Sequence, residues 1–233
     1  MSRCVSAPIV AIDGPAGAGK STVARQLARR LGFSMIDTGA IYRSVALEAL
    51  RRGIAWDDDE ALRQMLVEGL GLEFRGDRVL LHGGDVSEAI RTPEISRGAS
   101  VVSARPVVRK ELLQLQRNLG RAATRGAVLE GRDIGTVVFP DAEVKFFLTA
   151  SDEARAGRRH AELLERGLSV PLSEVLADQR RRDRDDSERA IAPLRPADDA
   201  IRVETTGLDL NEVVERCFRE AFARLTHLKS GQS

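Results

Sequence analysis

The residues with the clearest chemical pattern lie near the start of the chain, where positions 14–21 read GPAGAGKS. This spacing matches G-x-x-x-x-G-K-[ST], a loop whose glycines let backbone N–H groups point at phosphate oxygens. The following helix adds the positive end of its dipole. We predict that Lys20 reaches the β- and γ-phosphates of ATP, Ser21 ligates Mg²⁺ and Thr22 contacts the α-phosphate. The predicted ATP-binding loop comprises Gly14, Pro15, Ala16, Gly17, Ala18, Gly19, Lys20, Ser21 and Thr22.

Two polar segments follow predicted strands, where ligands sit in open parallel sheets. The first runs from Asp37 to Arg43 and reads DTGAIYR. Taken alone, Tyr42 and Arg43 are more typical of a helix surface with a half-buried aromatic ring. The second segment, 130–136, reads EGRDIGT. It is equally typical of a surface turn with a salt bridge and of charged groups that face a ligand.

A third segment, 180–189, reads RRRDRDDSER. Such a charge run is usually a solvated helix face. Arginines on a mobile segment beside an ATP site can also clamp phosphates, so the sharper interpretation is a lid.

Five short apolar runs predict the strands that position these segments. Lys20 to Leu31 has helical periodicity and ends at Gly32, and strands alternate with helices in this part of the chain. Further helices are predicted over 40–52, 57–70, 94–103 and 106–124, and another begins at Ser151. We therefore predict an α/β P-loop fold whose five-stranded parallel sheet is flanked by helices. The predicted strands are 9–12, 33–36, 127–129, 144–148 and 201–205.

The middle of the chain interrupts this alternation. Residues 72–75 and 78–82 read as a hairpin around the two-residue turn Gly76-Asp77. We predict an inserted small α+β nucleotide-binding subdomain at 63–104 and helical arms with a lid at 151–189. The P-loop core then comprises 1–62, 105–150 and 190–233.

Composition limits the classes of function. The formal net charge is +1 and aromatic residues make up 4% of the chain, which disfavours nucleic-acid binding. Cys4 and Cys217 are the two cysteines, and we expect both to be reduced thiols. Neither a signal-peptide pattern nor a long apolar segment is evident, so we expect a cytoplasmic protein without membrane association. A monomer is expected because no long apolar seam is evident.

Taken together, these segments resemble the bacterial cytidylate kinase family over nearly the whole chain. The most specific pieces are IDGP at 12–15, DTGAIYR at 37–43 and GRDIGTVVFP at 131–140. The resemblance implies phosphorylation of CMP and dCMP by ATP with Mg²⁺, in pyrimidine nucleotide metabolism. It also implies that the hairpin-bearing insertion is the nucleotide-binding subdomain.

The resemblance implies individual roles as well. Ser100, Arg109 and Asp133 match positions that read the cytosine ring. Residues that match acceptor-phosphate positions are Arg43, Arg132 and Arg189. Arg182 and Asp186 match positions near the ribose and the lid, and Arg155, Arg158 and Arg159 fall where the lid approaches ATP. The expected CMP-binding set is Thr38, Tyr42, Arg43, Ser100, Arg109, Arg132, Asp133, Arg182, Asp186 and Arg189, and the expected catalytic set is Lys20, Arg132, Arg182 and Arg189.

Such an acceptor needs no general base, because the second pKa of its phosphate is about 6. Catalysis would be in-line transfer through positioning and charge stabilisation. A carboxylate at Asp133 would accept from the cytosine amine and leave the uracil carbonyl unsatisfied, so CMP and dCMP should be preferred to UMP.

Two other functions are compatible with a P-loop. One is a kinase for a small alcohol, such as a shikimate-type kinase, in which Asp37 would act as or near a general base. Chain length, the hairpin insertion and the arginine excess argue against it. The other is a nucleotide-dependent switch, which needs an Asn-Lys-x-Asp guanine-reading motif that the sequence lacks.

Overall fold

The computed structural model describes residues 7–230 of the chain, with side chains to residue 227. Cys4 lies outside the described residues. Contacts divide the chain into two compact units, Met1–Ile36 with Asn118–Ser233, and Asp37–Arg117. The predicted subdomain 63–104 falls inside the second unit. No helix of the described part is both long enough and apolar enough to span a membrane.

Strands and helices alternate at both ends of the chain. The strands are β1 (Ile9–Asp13), β2 (Ser34–Asp37), β3 (Leu72–Arg75), β4 (Arg78–Leu81), β5 (Gly84–Asp85), β6 (Ala127–Gly131), β7 (Val144–Thr149) and β8 (Ile201–Glu204). The α-helices are α1 (Lys20–Leu31), α2 (Thr38–Arg51), α3 (Asp59–Val67), α4 (Pro93–Ala104), α5 (Pro106–Arg121), α6 (Asp152–Glu165), α7 (Leu172–Glu188) and α8 (Leu210–Ser230). A 3₁₀ turn covers Ala89–Arg91 and a π-helical turn covers Ile134–Val138.

The predicted five-stranded parallel sheet is confirmed, with the strand order β2-β6-β1-β7-β8. Asp13 at the end of β1 is the register partner of Gly131 on β6 and of Phe147 on β7. Because parallel strands end at the same edge, the loop after β1 and the loop after β6 start side by side. The chain therefore brings the glycine-rich loop next to Arg132 and Asp133.

Both faces of the central strands are apolar, as expected for a parallel sheet covered by helices. All five residues of β1 are buried, and so are all five of β6. Side chains from α1 and α8, including Leu27 and Val214, pack with Val10 and Phe146 in one cluster. This core fixes the position of α1, whose first turn follows the glycine-rich loop.

Local sequence sets the ends of the helices. Gly32 ends α1 in a left-handed conformation, and its N–H donates to Ala28 O and Arg29 O. Ser151 caps α6 by accepting the N–H of Ala154, with Asp152 and Glu153 in the first turn. These caps agree with the predicted starts and ends.

Within the second unit, α2 packs along α4 and the predicted hairpin is present. Arg75 pairs with Arg78 across the two-residue turn. A short third strand, β5, extends this sheet and was not predicted. The Trp56 indole donates to Ala46 O at 2.9 Å and lies against Gly98, where a Cβ would approach the ring to 2.5 Å. Gly98 therefore permits the close approach of the α4 backbone to Trp56.

Three predicted helices differ in their bounds. The helix expected over 57–70 covers only Asp59–Val67, because Asp58 caps it and Gly69 is left-handed at φ 98. The helix expected over 106–124 ends at Arg121, and the one expected from Ala40 begins at Thr38 because Asp37 is its cap. The π-helical turn after Asp133 was not predicted, since it depends on bonds from a residue far away in sequence.

Candidate functional site

The glycine-rich loop has a shape that side chains would prevent. Gly14, Gly17 and Gly19 have φ values of 146, 74 and 88, which L-residues rarely adopt. A Cβ on Gly14 would stand 2.0 Å from Leu148 O on β7. The loop is thus held against the sheet at its first glycine, with Ser21 and Thr22 exposed in the first turn of α1.

Lys20 is buried at the start of α1, and its Nζ donates to Pro15 O at 2.7 Å. Burial, followed by repulsion from the Arg132 guanidinium, lowers the pKa of Lys20 to about 7. A polyanion in the loop would favour the ammonium form. The position suits a cation that binds phosphate oxygens after releasing the loop carbonyl.

Asp13 lies immediately before the loop, and it is a site residue that we did not predict. Its Oδ1 accepts the N–H of Ile134 and its Oδ2 the N–H of Gly135, both at 2.8 Å. Burial raises the pKa of Asp13 to about 6, against the lowering effect of these two bonds. The signal in the sequence is a carboxylate that ends an otherwise apolar strand. Asp13 fixes the turn that follows Arg132 and Asp133.

Four predicted residues of the first unit form one charged cluster. Arg132 Nε donates to Asp186 Oδ2 at 2.8 Å. Arg189 Nη1 lies 3.6 Å from Asp186 Oδ1, and Arg189 Nη2 lies 3.6 Å from Asp133 Oδ1. Burial alone would raise the pKa of Asp186, but the adjacent Arg132, Arg189 and Arg182 lower it. The cluster therefore holds Asp186 ionised, with Arg132 from the loop after β6 bonded to one of its oxygens and Arg189 at the end of α7 near the other.

The three arginines predicted near ATP have different surroundings. Arg158 Nη2 donates to Thr205 O at 2.7 Å, and its Nη1 contacts Gly17 O at 3.5 Å. Arg155 donates to Ala16 O, again on the loop. Arg159 pairs with Glu162 at 2.8 Å, an exposed contact within α6. Thus Arg155 and Arg158 bond the glycine-rich loop, whereas the Arg159 bond to Glu162 lies within α6.

Within the second unit, Asp37 and Arg43 are paired. Arg43 Nη2 donates to Asp37 Oδ2 at 2.8 Å, while Asp37 Oδ1 accepts the N–H of Ala40 at 2.8 Å and so caps α2. Arg43 Nε is buried and donates no hydrogen bond to the part of the chain that the structure describes. Both oxygens of Asp37 are engaged, which disfavours its use as a general base.

The other predicted residues of this unit lie on α2, α4 and α5. The Arg109 guanidinium carbon lies 5.7 Å from the centroid of the Tyr42 ring, and its Nη1 donates to Ser103 O at 3.1 Å. Ser100 Oγ donates to Ser96 O at 3.4 Å. Thr38 is buried in the first turn of α2. Arg109 and Tyr42 are thus brought together, and Ser100 is one turn of α4 before Ser103.

The residues around the loop suit a magnesium ion that arrives with a triphosphate. Among the described residues, no group of three His, Cys, Asp or Glu side chains is arranged to hold a metal. Asp13 uses both oxygens for backbone N–H groups. The exposed Ser21 hydroxyl is the candidate protein ligand, which fits the preference of Mg²⁺ for phosphate oxygens and water with few protein ligands.

Comparison with known proteins gives a consistent result. The family model described as "Cytidylate kinase" matches residues 10–222. A protein called "Cytidylate kinase" from Geobacter sp. (strain M21) is 53% identical over 227 residues, covering 96% of both chains. One with the same name from Geobacter sulfurreducens is 54% identical, covering 89% of this chain and 90% of the other.

A solved structure supports the fold alone. An uncharacterized protein from Eubacterium ventriosum superposes with a TM-score of 0.51 at 11% identity, covering 91% of this chain and 97% of that one. The family match, which spans most of the chain, decides the classification. The chain therefore belongs to the cytidylate kinase family and is an enzyme, a nucleoside monophosphate kinase.

Proposed function

We propose that this enzyme transfers the γ-phosphate of ATP to CMP and dCMP by direct in-line displacement, giving CDP and dCDP in pyrimidine nucleotide metabolism. The observation that carries the proposal is the register of β1 with β6. It sets Arg132 and Asp133 beside the start of the glycine-rich loop, where Asp186 and Arg189 meet them. Two anionic substrates need such a concentration of arginines to approach each other.

The proposed donor site is the loop 14–19 with Lys20, Thr22 and Arg158. Backbone N–H groups and Lys20 would bind the phosphates, and Ser21 would hold Mg²⁺ carried by the triphosphate. When bound, Mg²⁺ would neutralise charge on the β- and γ-phosphates. The pairing of Lys20 with Pro15 O supports this assignment, because that bond is exchangeable for one to a phosphate.

The proposed acceptor residues belong to both compact units. In the first unit, Arg132 and Arg189 would bind the phosphate of CMP, Asp133 the cytosine amine, and Arg182 and Asp186 the ribose side. In the second unit, Arg43 and Thr38 would bind the phosphate side, and Ser100, Arg109 and Tyr42 the ring. Planar, fully charged guanidinium groups suit phosphate better than ammonium groups do.

Transfer in this arrangement requires no general base. The acceptor oxygen of CMP is already largely ionised at pH 7, because the second pKa of the phosphate is about 6. The residues then align the two phosphates and stabilise charge in the transition state. We also propose that 63–104 acts as the CMP-binding subdomain and that 151–189 closes as a lid and excludes water. The remaining residues form the core.

The proposed substrates indicate where the reaction takes place. Because ATP and CMP are intracellular nucleotides, the proposed activity belongs in the cytoplasm. A monomer suffices for it, and sedimentation of the purified chain checks that expectation.

The first experiment measures ADP release with Mg-ATP and a panel of CMP, dCMP, UMP, AMP and shikimate. We expect rapid turnover with CMP and dCMP, weak turnover with UMP, and none with AMP or shikimate. Turnover with shikimate but not with CMP would instead favour a hydroxyl acceptor.

Base recognition is tested by Asp133→Ala. The variant should lose most of its preference for CMP over UMP, because the carboxylate that accepts from the cytosine amine is gone. An unchanged CMP/UMP ratio of kcat/KM would refute the assignment of Asp133. Asp141→Ala, which removes an exposed carboxylate on the loop before β7, provides a control outside the proposed site.

A further inference from the structure

Arg155 bonds to four separate parts of the first unit. Its Nε donates to Ala150 O at 3.0 Å, and its Nη2 donates to Asp152 Oδ1 at 2.5 Å. Its Nη1 donates both to Ala16 O at 3.0 Å and to Asp183 Oδ2 at 2.5 Å. The side chain is 5% exposed. One buried guanidinium therefore joins the end of β7, the first turn of α6, the glycine-rich loop and α7.

Packing reinforces this junction. A Cβ on Gly17 would stand 2.9 Å from Arg155 O and 3.2 Å from Gln179 Oε1, so the loop lies directly against α6 and α7. Gln179 Nε2 donates to Asp152 O at 3.3 Å, and Arg180 Nε donates to Asp152 Oδ2 at 2.8 Å. The loop and α7 therefore contact the same short segment of α6.

Helix α7 also carries the proposed acceptor residue Asp186 and ends at another, Arg189. Asp186 follows Asp183 by three residues, about 4.5 Å along the axis of α7. Asp186 accepts from Arg132, and Arg189 at the end of the helix lies near Asp133. A displacement of α7 at Asp183 therefore carries Asp186 and Arg189 with it, because a helical turn moves as a unit.

We propose that Arg155 is a positioning residue that couples occupancy of the glycine-rich loop to the placement of Asp186, Arg132 and Arg189. Phosphates that order the loop backbone fix Ala16 O, which orients Arg155 and, through Asp183, seats α7. ATP and CMP then reinforce each other's binding, and linkage requires the same factor in both directions. This inference rests on the proposed function, and it assigns to Arg155 a role other than contact with ATP.

Lysine cannot replace arginine at this position. A planar guanidinium offers five N–H donors in a fixed fork, whereas an ammonium is a single point with three donors. Arg155→Lys retains the charge but cannot span Ala16 O, Asp183 and Asp152 together. Asp183→Asn retains the shape and replaces the charged acceptor on α7 by a neutral amide, which weakens the bond to Arg155 while its other three bonds remain.

The test measures CMP binding by titration calorimetry, with and without a non-hydrolysable ATP analogue and Mg²⁺. For the unaltered protein we expect the analogue to tighten CMP binding about tenfold, a typical coupling. In Arg155→Lys and Asp183→Asn the factor should fall to below about twofold, while binding of each ligand alone changes little. The double variant should lose no more coupling than the worse single variant.

Arg181→Lys is the matched control, because Arg181 lies on α7 and pairs with the surface residue Asp178. It should retain the full coupling. Circular dichroism checks that each variant is folded. If Arg155→Lys does not fold, the coupling measured in Asp183→Asn decides the result. Unchanged coupling in the folded variants would overturn the inference, and so would equal weakening of both ligands without loss of coupling. Failure of the unaltered protein to phosphorylate CMP would instead refute the proposed function.

Discussion

The Oδ2 atom of Asp13 lies 2.8 Å from the backbone nitrogen of Gly135, which donates to it from 122 positions later in the chain. The other oxygen accepts from Ile134, so a single carboxylate holds the turn that carries Arg132 and Asp133. Repulsion from Asp133 adds to burial in raising the pKa of Asp13 to about 6, and the Lys20 charge opposes it. Asp13 is thus a titratable group whose hydrogen bonds hold the turn next to the proposed acceptor residues Arg132 and Asp133.

Asp13→Asn should lower both stability and kcat/KM for CMP. An amide presents an N–H₂ group where one backbone N–H needs an acceptor, and an unsatisfied buried donor costs about 1–3 kcal/mol. The raised pKa means that the folded state binds more protons than the unfolded state between about pH 4 and pH 6. The contribution of Asp13 to stability therefore falls as pH rises through that window and is constant above it.

Urea unfolding of both proteins from pH 4 to pH 7 checks this sign. The free energy of unfolding of the unaltered protein, relative to the variant, should fall with rising pH and level off near pH 6. A difference that does not depend on pH would contradict the raised pKa. The dependence of activity on pH must also be compared between the unaltered protein and the variant. The phosphate of CMP ionises with a pKa of about 6, so its own titration falls in the same pH range.

Asp37→Asn should raise the KM for CMP by about tenfold and change kcat little. Asparagine keeps the oxygen that caps α2 but loses the ion pair that orients Arg43, and such partly buried charged bonds are worth about 1.5–3 kcal/mol. Steady-state kinetics with CMP as the varied substrate measures the effect. Glu60→Gln, which alters the exposed pair with Arg63 on α3, is the control.

The same variant discriminates the mechanisms. If Asp37 were a general base, kcat would fall by about 10²–10⁴-fold with little change in KM. That result would contradict the base-free transfer proposed above.

Gly14→Ala should unfold the protein or destabilise it by more than about 3 kcal/mol. The new methyl group would overlap Leu148 O, a backbone atom of a buried strand, at a φ of +146. Gly53→Ala is the matched control, since its φ is +68 and nothing lies within 4 Å of the added Cβ. Only the backbone cost of about 1–2 kcal/mol is expected there. Equal costs in thermal or urea unfolding would show that close packing is not what requires Gly14.

Cys217 should not react with iodoacetamide in the folded protein. Burial raises the pKa of its thiol to about 12, so at pH 8 only about one molecule in ten thousand carries the nucleophilic thiolate. In a Cys4→Ser variant, mass spectrometry should find no label on the folded chain and one label after denaturation. Rapid labelling of the folded chain would show that α8 opens readily.

The sequence predicted the sheet well because its strands are strong local signals. Buried parallel strands are unbroken apolar runs, and the glycine-rich loop has a spacing that few other structures require. Helix ends were predicted correctly where the capping residue is evident in the sequence, as at Ser151. The helix predicted over 57–70 was too long, because Asp58 caps its start and the left-handed Gly69 follows its end.

The α/β fold and the glycine-rich loop were accessible from residue types and spacing, and the family from the resemblance of the segments 12–15, 37–43 and 131–140. Only the tertiary structure decided which charges meet. The bonds of Asp13 to Ile134 and Gly135, and of Arg155 to Ala16 and Asp183, join residues 28 to 139 positions apart. Such pairings depend on strand register and on how helices pack across the sheet. No local pattern encodes them, because each partner alone is an ordinary charged residue or backbone group.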